Sequence, residues 1–218
     1  EDHPNMLWLE VETQDGIVGL GETFYAAESV EAYIHANLAP NVLGMSAIDI
    51  EAVHYRARPY IGFVGASVEL RARSALDIAL WDAFGKVTGQ PVSVLLGGRM
   101  RENIPVYNTC AGYRYVRGPK VGATENFGIQ EPTGADDYED LHRFLNDPVG
   151  LAGSLLDMGI NSMKIWPFDF AAEASQGQFI SPTDLKKALW PFEAIKKAYG
   201  DRMQVSAELH GVWNLSES

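Results

Sequence analysis

The stretch Ser162-Met163-Lys164-Ile165-Trp166, answered further along by Met203-Gln204-Val205-Ser206-Ala207-Glu208-Leu209-His210, decides how the second half of this chain folds. Period-two alternation in the first puts Lys164 and Trp166 on one face of a strand and Met163 and Ile165 on the other. In the second, Glu208 and His210 share a face and Leu209 takes the opposite one. Between them Ser181-Pro182 opens a helix, with a capping serine, proline at the first helical position and Asp184 in the first turn, and Gly200 closes it. Upstream, residues 104–109 read as a short strand and residues 138–158 as a helical region interrupted at Asp147-Pro148. Strands alternating with helices imply parallel βαβ units. In a βα barrel the outward face packs against helices, which suits Met163, Ile165 and Leu209. Lys164, Glu208 and His210 then point inward near the C-terminal strand ends, where charged groups persist only if paired, liganded or at a solvent-accessible mouth.

Each residue has a plainer explanation by itself. Lys164 could lie on a solvated edge strand, Glu208 could be its structural partner, and His210 could be a satisfied loop histidine. Two strands that carry polar residues in the same phase favour one shared site. His3, His35, His54 and His142 fall near a terminus or on helices with charged neighbours, and are expected to be solvated.

The first half has a different texture. Residues 7–13 alternate Leu7, Leu9 and Val11 against Trp8, Glu10 and Glu12, and Asp15-Gly16 turns the chain into residues 17–22, which predicts a β-hairpin with one buried face. Residues 29–58 read as helical, with Ser46 as a cap three residues before Asp49 and a break at Pro59. In residues 67–88, Leu76, Ile78, Ala79, Leu80, Trp81, Phe84 and Val87 surround most of the circumference, which predicts a buried helix ended by Gly89 and Pro91. The character changes after Gly97-Gly98, so the domains are expected at residues 1–100 and 101–218. A long stretch without periodicity, residues 112–137, is a functional or mobile connection.

Composition bounds the function. With 218 residues, 46% hydrophobic and 21% charged, the chain can bury a substantial core. A net charge of -12 without a basic stripe argues against nucleic acid as a partner. No apolar run approaches the roughly 18 residues that span a bilayer, and Glu1 to Asn5 do not resemble a signal peptide, so a cytoplasmic protein without a membrane partner is expected. The single Cys110 can form no internal disulfide and reads as a packing residue.

At Ser74-Ala75-Leu76-Asp77-Ile78-Ala79-Leu80-Trp81-Asp82, through Gly85-Lys86 and Gly89-Gln90-Pro91-Val92 to Leu95-Leu96-Gly97-Gly98, the sequence resembles the enolase superfamily, in its mandelate racemase and muconate lactonising group. The hairpin ending Gly19-Leu20-Gly21-Glu22 and the strand containing Lys164 match the same pattern in the same order. The resemblance implies an α/β fold: an enolase-like α+β cap over residues 1–100, then the first part of a modified (β/α) TIM barrel over residues 101–218, an incomplete barrel. It also implies Mg²⁺ held by three carboxylates, and abstraction of the proton beside a substrate carboxylate to give a metal-stabilised enediolate. Glu208 matches the first metal ligand, where Asp is commoner. The family's Lys-x-Lys pair is Lys164-Ile165-Trp166 here, so its second lysine is missing and Trp166 becomes a pocket wall. His210, two residues after Glu208, resembles the acid/base histidine of mannonate-type acid-sugar dehydratases, with Lys164 as the cation that orients the substrate carboxylate.

By the same resemblance, residues 22–28 and 58–67 are cap loops, where Phe24, Tyr25, Tyr60 and Phe63 either contact a polyhydroxy substrate or pack the cap. In the loop after the first barrel strand, Tyr113, Arg114 and Arg117 are placed to reach a substrate carboxylate. The function implied is Mg²⁺-dependent dehydration of an acid sugar by a homo-oligomer. The alternatives are racemisation or cycloisomerisation of a small hydroxycarboxylate, or a catalytically incomplete chain with no activity of its own.

Overall fold

The computed structural model describes residues 6–58, 65–112 and 139–216. The backbone packs into two units, Glu1–Glu102 and Asn103–Ser218. In the first unit β1 (Met6–Glu12) and β2 (Val18–Phe24) pair antiparallel, with Leu9 opposite Gly21 and Val11 opposite Gly19. The expected alternation forms: Leu7, Leu9 and Val11 pack on the unit's core while Trp8, Glu10 and Glu12 face solvent.

The helical region expected over residues 29–58 is divided into α1 (Ala27–Tyr33), a π-helical turn (Ile34–Leu38), α2 (Ala39–Val42) and α3 (Ile50–Arg56). Pro40 has no N–H to return to the preceding turn, so the helix widens ahead of it, and Gly44 at φ 83° lets the chain turn away. Ser46 is not the cap of α3. Asp49 holds that position without a side-chain capping bond, and its N–H reaches the Ser46 carbonyl at 3.2 Å. The aromatic segment at residues 59–64 lies outside the described residues.

α4 (Val68–Thr88) is followed by Gly89 at φ 64°, whose N–H bonds the Gly85 carbonyl, and by the short α5 (Val92–Leu95). The expectation of burial around nearly the whole of α4 is corrected: Ile78 and Val87 are 43% and 49% exposed. Its buried side is instead rich in alanine, at Ala72, Ala75, Ala79 and Ala83, because β2 lies almost against the helix backbone. A Cβ on Gly19 would sit 2.0 Å from the Ala79 carbonyl oxygen, and one on Gly21 1.9 Å from that of Ala75. Asp82 locks the contact by accepting the Leu20 N–H at 2.8 Å and Lys86 Nζ at 2.6 Å, while Nζ also donates to the Val18 carbonyl.

In the second unit α6 (Asp140–Asn146) and α7 (Pro148–Asp157) meet at Asp147, whose carboxylate accepts the Gly150 N–H at 3.0 Å ahead of Pro148. β3 (Ser162–Ile165) leads through α8 (Asp169–Ser175) and α9 (Pro182–Tyr199) to β4 (Gln204–Ala207), which pairs with β3 in parallel. The α9 cap is the expected one, Ser181 Oγ accepting the Asp184 N–H at 3.0 Å. Residues 104–109 form no strand. Asn108 makes an isolated parallel bridge to Met163, with bonds on either side of it to Ser162 and Lys164. Met163, Ile165, Phe144, Leu151, Leu155 and Ile195 fill the core, each fully buried apolar side chain contributing about 1.5–3 kcal/mol. Cys110 is buried among them, and desolvation pushes its thiol up to about 12, in keeping with a packing role. No helix among the described residues is long and apolar enough to cross a membrane.

The glycine contact generates a stability prediction. Gly21→Ala should lose about 1–3 kcal/mol or more in a denaturant melt, whereas the exposed Glu10→Gln should stay within about 0.5 kcal/mol of the parent protein.

Candidate active site

The pleat of β3 buries Met163 and Ile165 completely and leaves Lys164 half-buried on the opposite face, as expected. β4 ends earlier than expected, at Ala207, so Glu208 and His210 do not share a strand face by alternation. A turn brings them together. The Glu208 N–H donates to the Ile165 carbonyl at 2.9 Å and extends the parallel pairing by one residue, after which Val212 N–H closes on the Leu209 carbonyl. His210 takes a left-handed backbone, φ 48°, and its N–H donates to Glu208 Oε1 at 3.1 Å. Leu209 is correspondingly half-buried rather than packed on an outer face.

Lys164 Nζ donates to Glu208 Oε2 at 2.9 Å, with the two side chains 22% and 30% exposed. That bond holds the Lys164 ammonium above its ordinary value, against the opposing effect of burial. The same bond, with the His210 N–H, holds the Glu208 carboxyl below its ordinary value. Lys164 is therefore a cation and Glu208 an anion at neutral pH. The Tyr107 ring lies 5.4 Å from Lys164 Nζ.

His210 Nδ1 lies 2.7 Å from Asp169 Oδ2. Asp169 is 2% exposed at the start of α8, and this burial pushes its carboxyl up to about 6; the neighbouring His210 pulls it down, and the Glu208 charge adds to the rise. The Trp166 ring stands edge-on to His210, with centroids 5.5 Å apart at 80°.

The structure thus brings Lys164, Glu208, His210 and Trp166 into one cluster. Trp166 departs from the expected open pocket wall: the strand stops at Ile165, and the indole turns into the core at 2% exposure, edge-on to Phe144. Tyr25 belongs to the first unit, at φ 77° and with the Arg71 guanidinium 5.4 Å from its ring. Tyr60 and Arg114 lie outside the described residues, as do Phe63, Tyr113 and Arg117. His54 is not simply solvated, since its Nε2 lies 2.8 Å from Asp77 Oδ1. Sequence reasoning missed Asp169 and Tyr107. The available signal for Asp169 was an acidic residue closing the short apolar run that follows a buried strand, Trp166-Pro167-Phe168-Asp169.

Among the described residues no three His, Cys, Asp or Glu side chains gather as a metal-binding group. Within the cluster, Glu208 has the character of a hard-cation ligand, an ionised and partly exposed carboxylate.

Residues 2–97 match the mandelate racemase / muconate lactonizing enzyme N-terminal domain. Residues 2–97 thus carry the N-terminal domain of the mandelate racemase and muconate lactonizing enzyme family, and the chain as a whole resembles the mandelate racemase group of the enolase superfamily. Its fold is the family's α+β cap followed by the first part of a (β/α) barrel. An enolase of the mandelate racemase subgroup from Agrobacterium tumefaciens superposes with a TM-score of 0.77 at 43% identity, over 98% of this chain and 49% of that one. The muconate lactonizing enzyme of Pseudomonas putida, at 24% identity, shares the fold with a TM-score of 0.65 over 99% of this chain and 51% of its own. Among curated relatives, D-mannonate dehydratase of Novosphingobium aromaticivorans is 37% identical over 90% of this chain and 46% of its own length. D-galactonate dehydratase of Xanthomonas campestris pv. campestris is 39% identical over 55% and 30%. The chain spans about half the length, or less, of the curated relatives it matches.

The ion pair fixes the sign of a pH dependence. A carboxyl with a depressed value stabilises the fold above its unfolded value and loses that contribution as pH falls through the folded one; the raised Lys164 loses its share as pH rises through its own. Glu208→Gln should therefore cost up to about 1 kcal/mol near neutrality, and the gap in thermal melts against the parent should close on acidification.

Proposed function

We propose that the protein is a Mg²⁺-dependent dehydratase of acid sugars, in which His210 moves the proton. The observation that carries this reading is the division of labour in the cluster. Lys164, kept protonated by Glu208, cannot serve as a base at neutral pH. His210, with Nδ1 against Asp169, is the group suited to proton transfer. The names of the relatives, D-mannonate and D-galactonate dehydratase, support the same class of chemistry.

In this reading the Lys164 ammonium orients the substrate carboxylate. His210 Nε2 takes the proton from the carbon beside that carboxylate and delivers it to the hydroxyl on the next carbon, which departs as water and leaves the imidazole neutral again. The resulting enol becomes a 2-keto-3-deoxy acid. Glu208 would supply one oxygen ligand to a bound Mg²⁺, whose charge would offset the negative charge growing on the substrate carboxylate. Trp166 closes the side of the imidazole against the core and excludes water from it.

The test is to incubate the protein with Mg²⁺ and D-mannonate or D-galactonate and to assay for the 2-keto-3-deoxy product. We expect product, and a fall on the order of 10²–10⁴-fold in kcat for His210→Asn. Absence of product across an acid-sugar panel with Mg²⁺ present, or undiminished turnover by the variant, would overturn the proposal.

A further inference from the structure

The geometry points to Asp169 as a positioning residue that accepts the Nδ1–H of His210, and so fixes which imidazole nitrogen carries the lone pair. Its catalytic consequence rests on the reading of His210 given above; the tautomer itself does not.

Three observations converge. Asp169 is the first residue of α8 and is 2% exposed, a costly place for a carboxylate unless a donor meets it. A donor does meet it: Oδ2 lies 2.7 Å from His210 Nδ1. An ionised carboxylate can only accept, so in that contact the imidazole proton belongs to Nδ1, and a neutral ring then carries its lone pair at Nε2. Second, the residue is held elsewhere as well, at its backbone and beside its ring. The His210 N–H is tied to Glu208 Oε1 at 3.1 Å, and the Trp166 ring stands edge-on at 5.5 Å. Third, Asp169 Oδ1 is buried without a hydrogen-bond partner among the described residues. Among the described residues, the contact through Oδ2 to His210 is then what offsets the burial of this carboxylate. The burial that raises its value to about 6 still leaves it ionised in the neutral range where a histidine base operates.

The tautomer is read by long-range ¹H–¹⁵N correlation of the ring nitrogens of the whole chain, at a pH above the ordinary histidine value of about 6.5. The His210 signals are assigned by their loss in His210→Gln. We expect the parent to show Nδ1–H with an unprotonated Nε2. Asp169→Asn, whose amide can donate to Nδ1, should shift the tautomer ratio about tenfold or more toward Nε2–H. A parent ring protonated at Nε2, or a ratio unmoved in the folded variant, overturns the inference. If the variant does not fold, the parent spectrum decides alone.

A kinetic arm separates this from the functional proposal. With Mg²⁺ and an acid sugar, Asp169→Asn should lower kcat on the order of 10³-fold with KM within about threefold. Equal kcat in variant and parent overturns the positioning role. The expected tautomers without acid-sugar turnover by the parent would sink the dehydratase reading and leave the positioning of His210 by Asp169 standing.

Discussion

One backbone hydrogen bond governs the geometry of the candidate site, the Glu208 N–H donating to the Ile165 carbonyl at 2.9 Å. It carries the parallel pairing of β3 and β4 one residue past the end of the strand, and so holds the Glu208 Cα next to the half-buried face of β3. From there one carboxylate does two jobs. Oε2 takes the Lys164 ammonium and Oε1 takes the His210 N–H. The left-handed backbone at His210 follows from that second bond, because the chain must turn back on the carboxylate to reach it.

The charges in the cluster sustain one another. A half-buried lysine and a half-buried glutamate would each be driven toward neutrality by desolvation, yet in contact the lysine is raised and the glutamate lowered, so both stay charged. Asp169 is the opposite case. Burial outweighs its partner, and its carboxyl rises to about 6. Two carboxylates of one cluster are therefore pushed in opposite directions by their surroundings. Beneath them, the fully buried Met163 and Ile165 anchor β3, so the polar groups sit on a rigid floor.

The first unit is organised by a close approach rather than by charge. Gly19 and Gly21 let β2 come so near α4 that the facing helix positions must be small, which accounts for the alanine series at Ala72, Ala75, Ala79 and Ala83. Read alone, the many apolar residues of α4 suggest burial all round; the hairpin covers only one side, and Ile78 and Val87 stay exposed. Periodicity does not say how many partners a helix has. The same limit explains the division of residues 29–58, where the apolar pattern continues but Pro40 and Gly44 interrupt the backbone.

By itself the sequence determined the local events: the hairpin alternation, the Ser181 cap, the glycine stops at Gly89 and Gly200, and the pleat that opposes Lys164 to Met163 and Ile165. These depend on neighbours within a few residues, which a sequence displays directly. It also marked Lys164, Glu208 and His210 as one group, although through strand alternation, where the fold uses a turn. Only the tertiary structure decided that Trp166 is buried, that Asp169 meets His210, and that Tyr107 faces Lys164. Those contacts join residues far apart in the chain, and their existence depends on the register of β3 against β4 and on where α8 begins. No local pattern encodes that register; it is set by the packing of the whole unit.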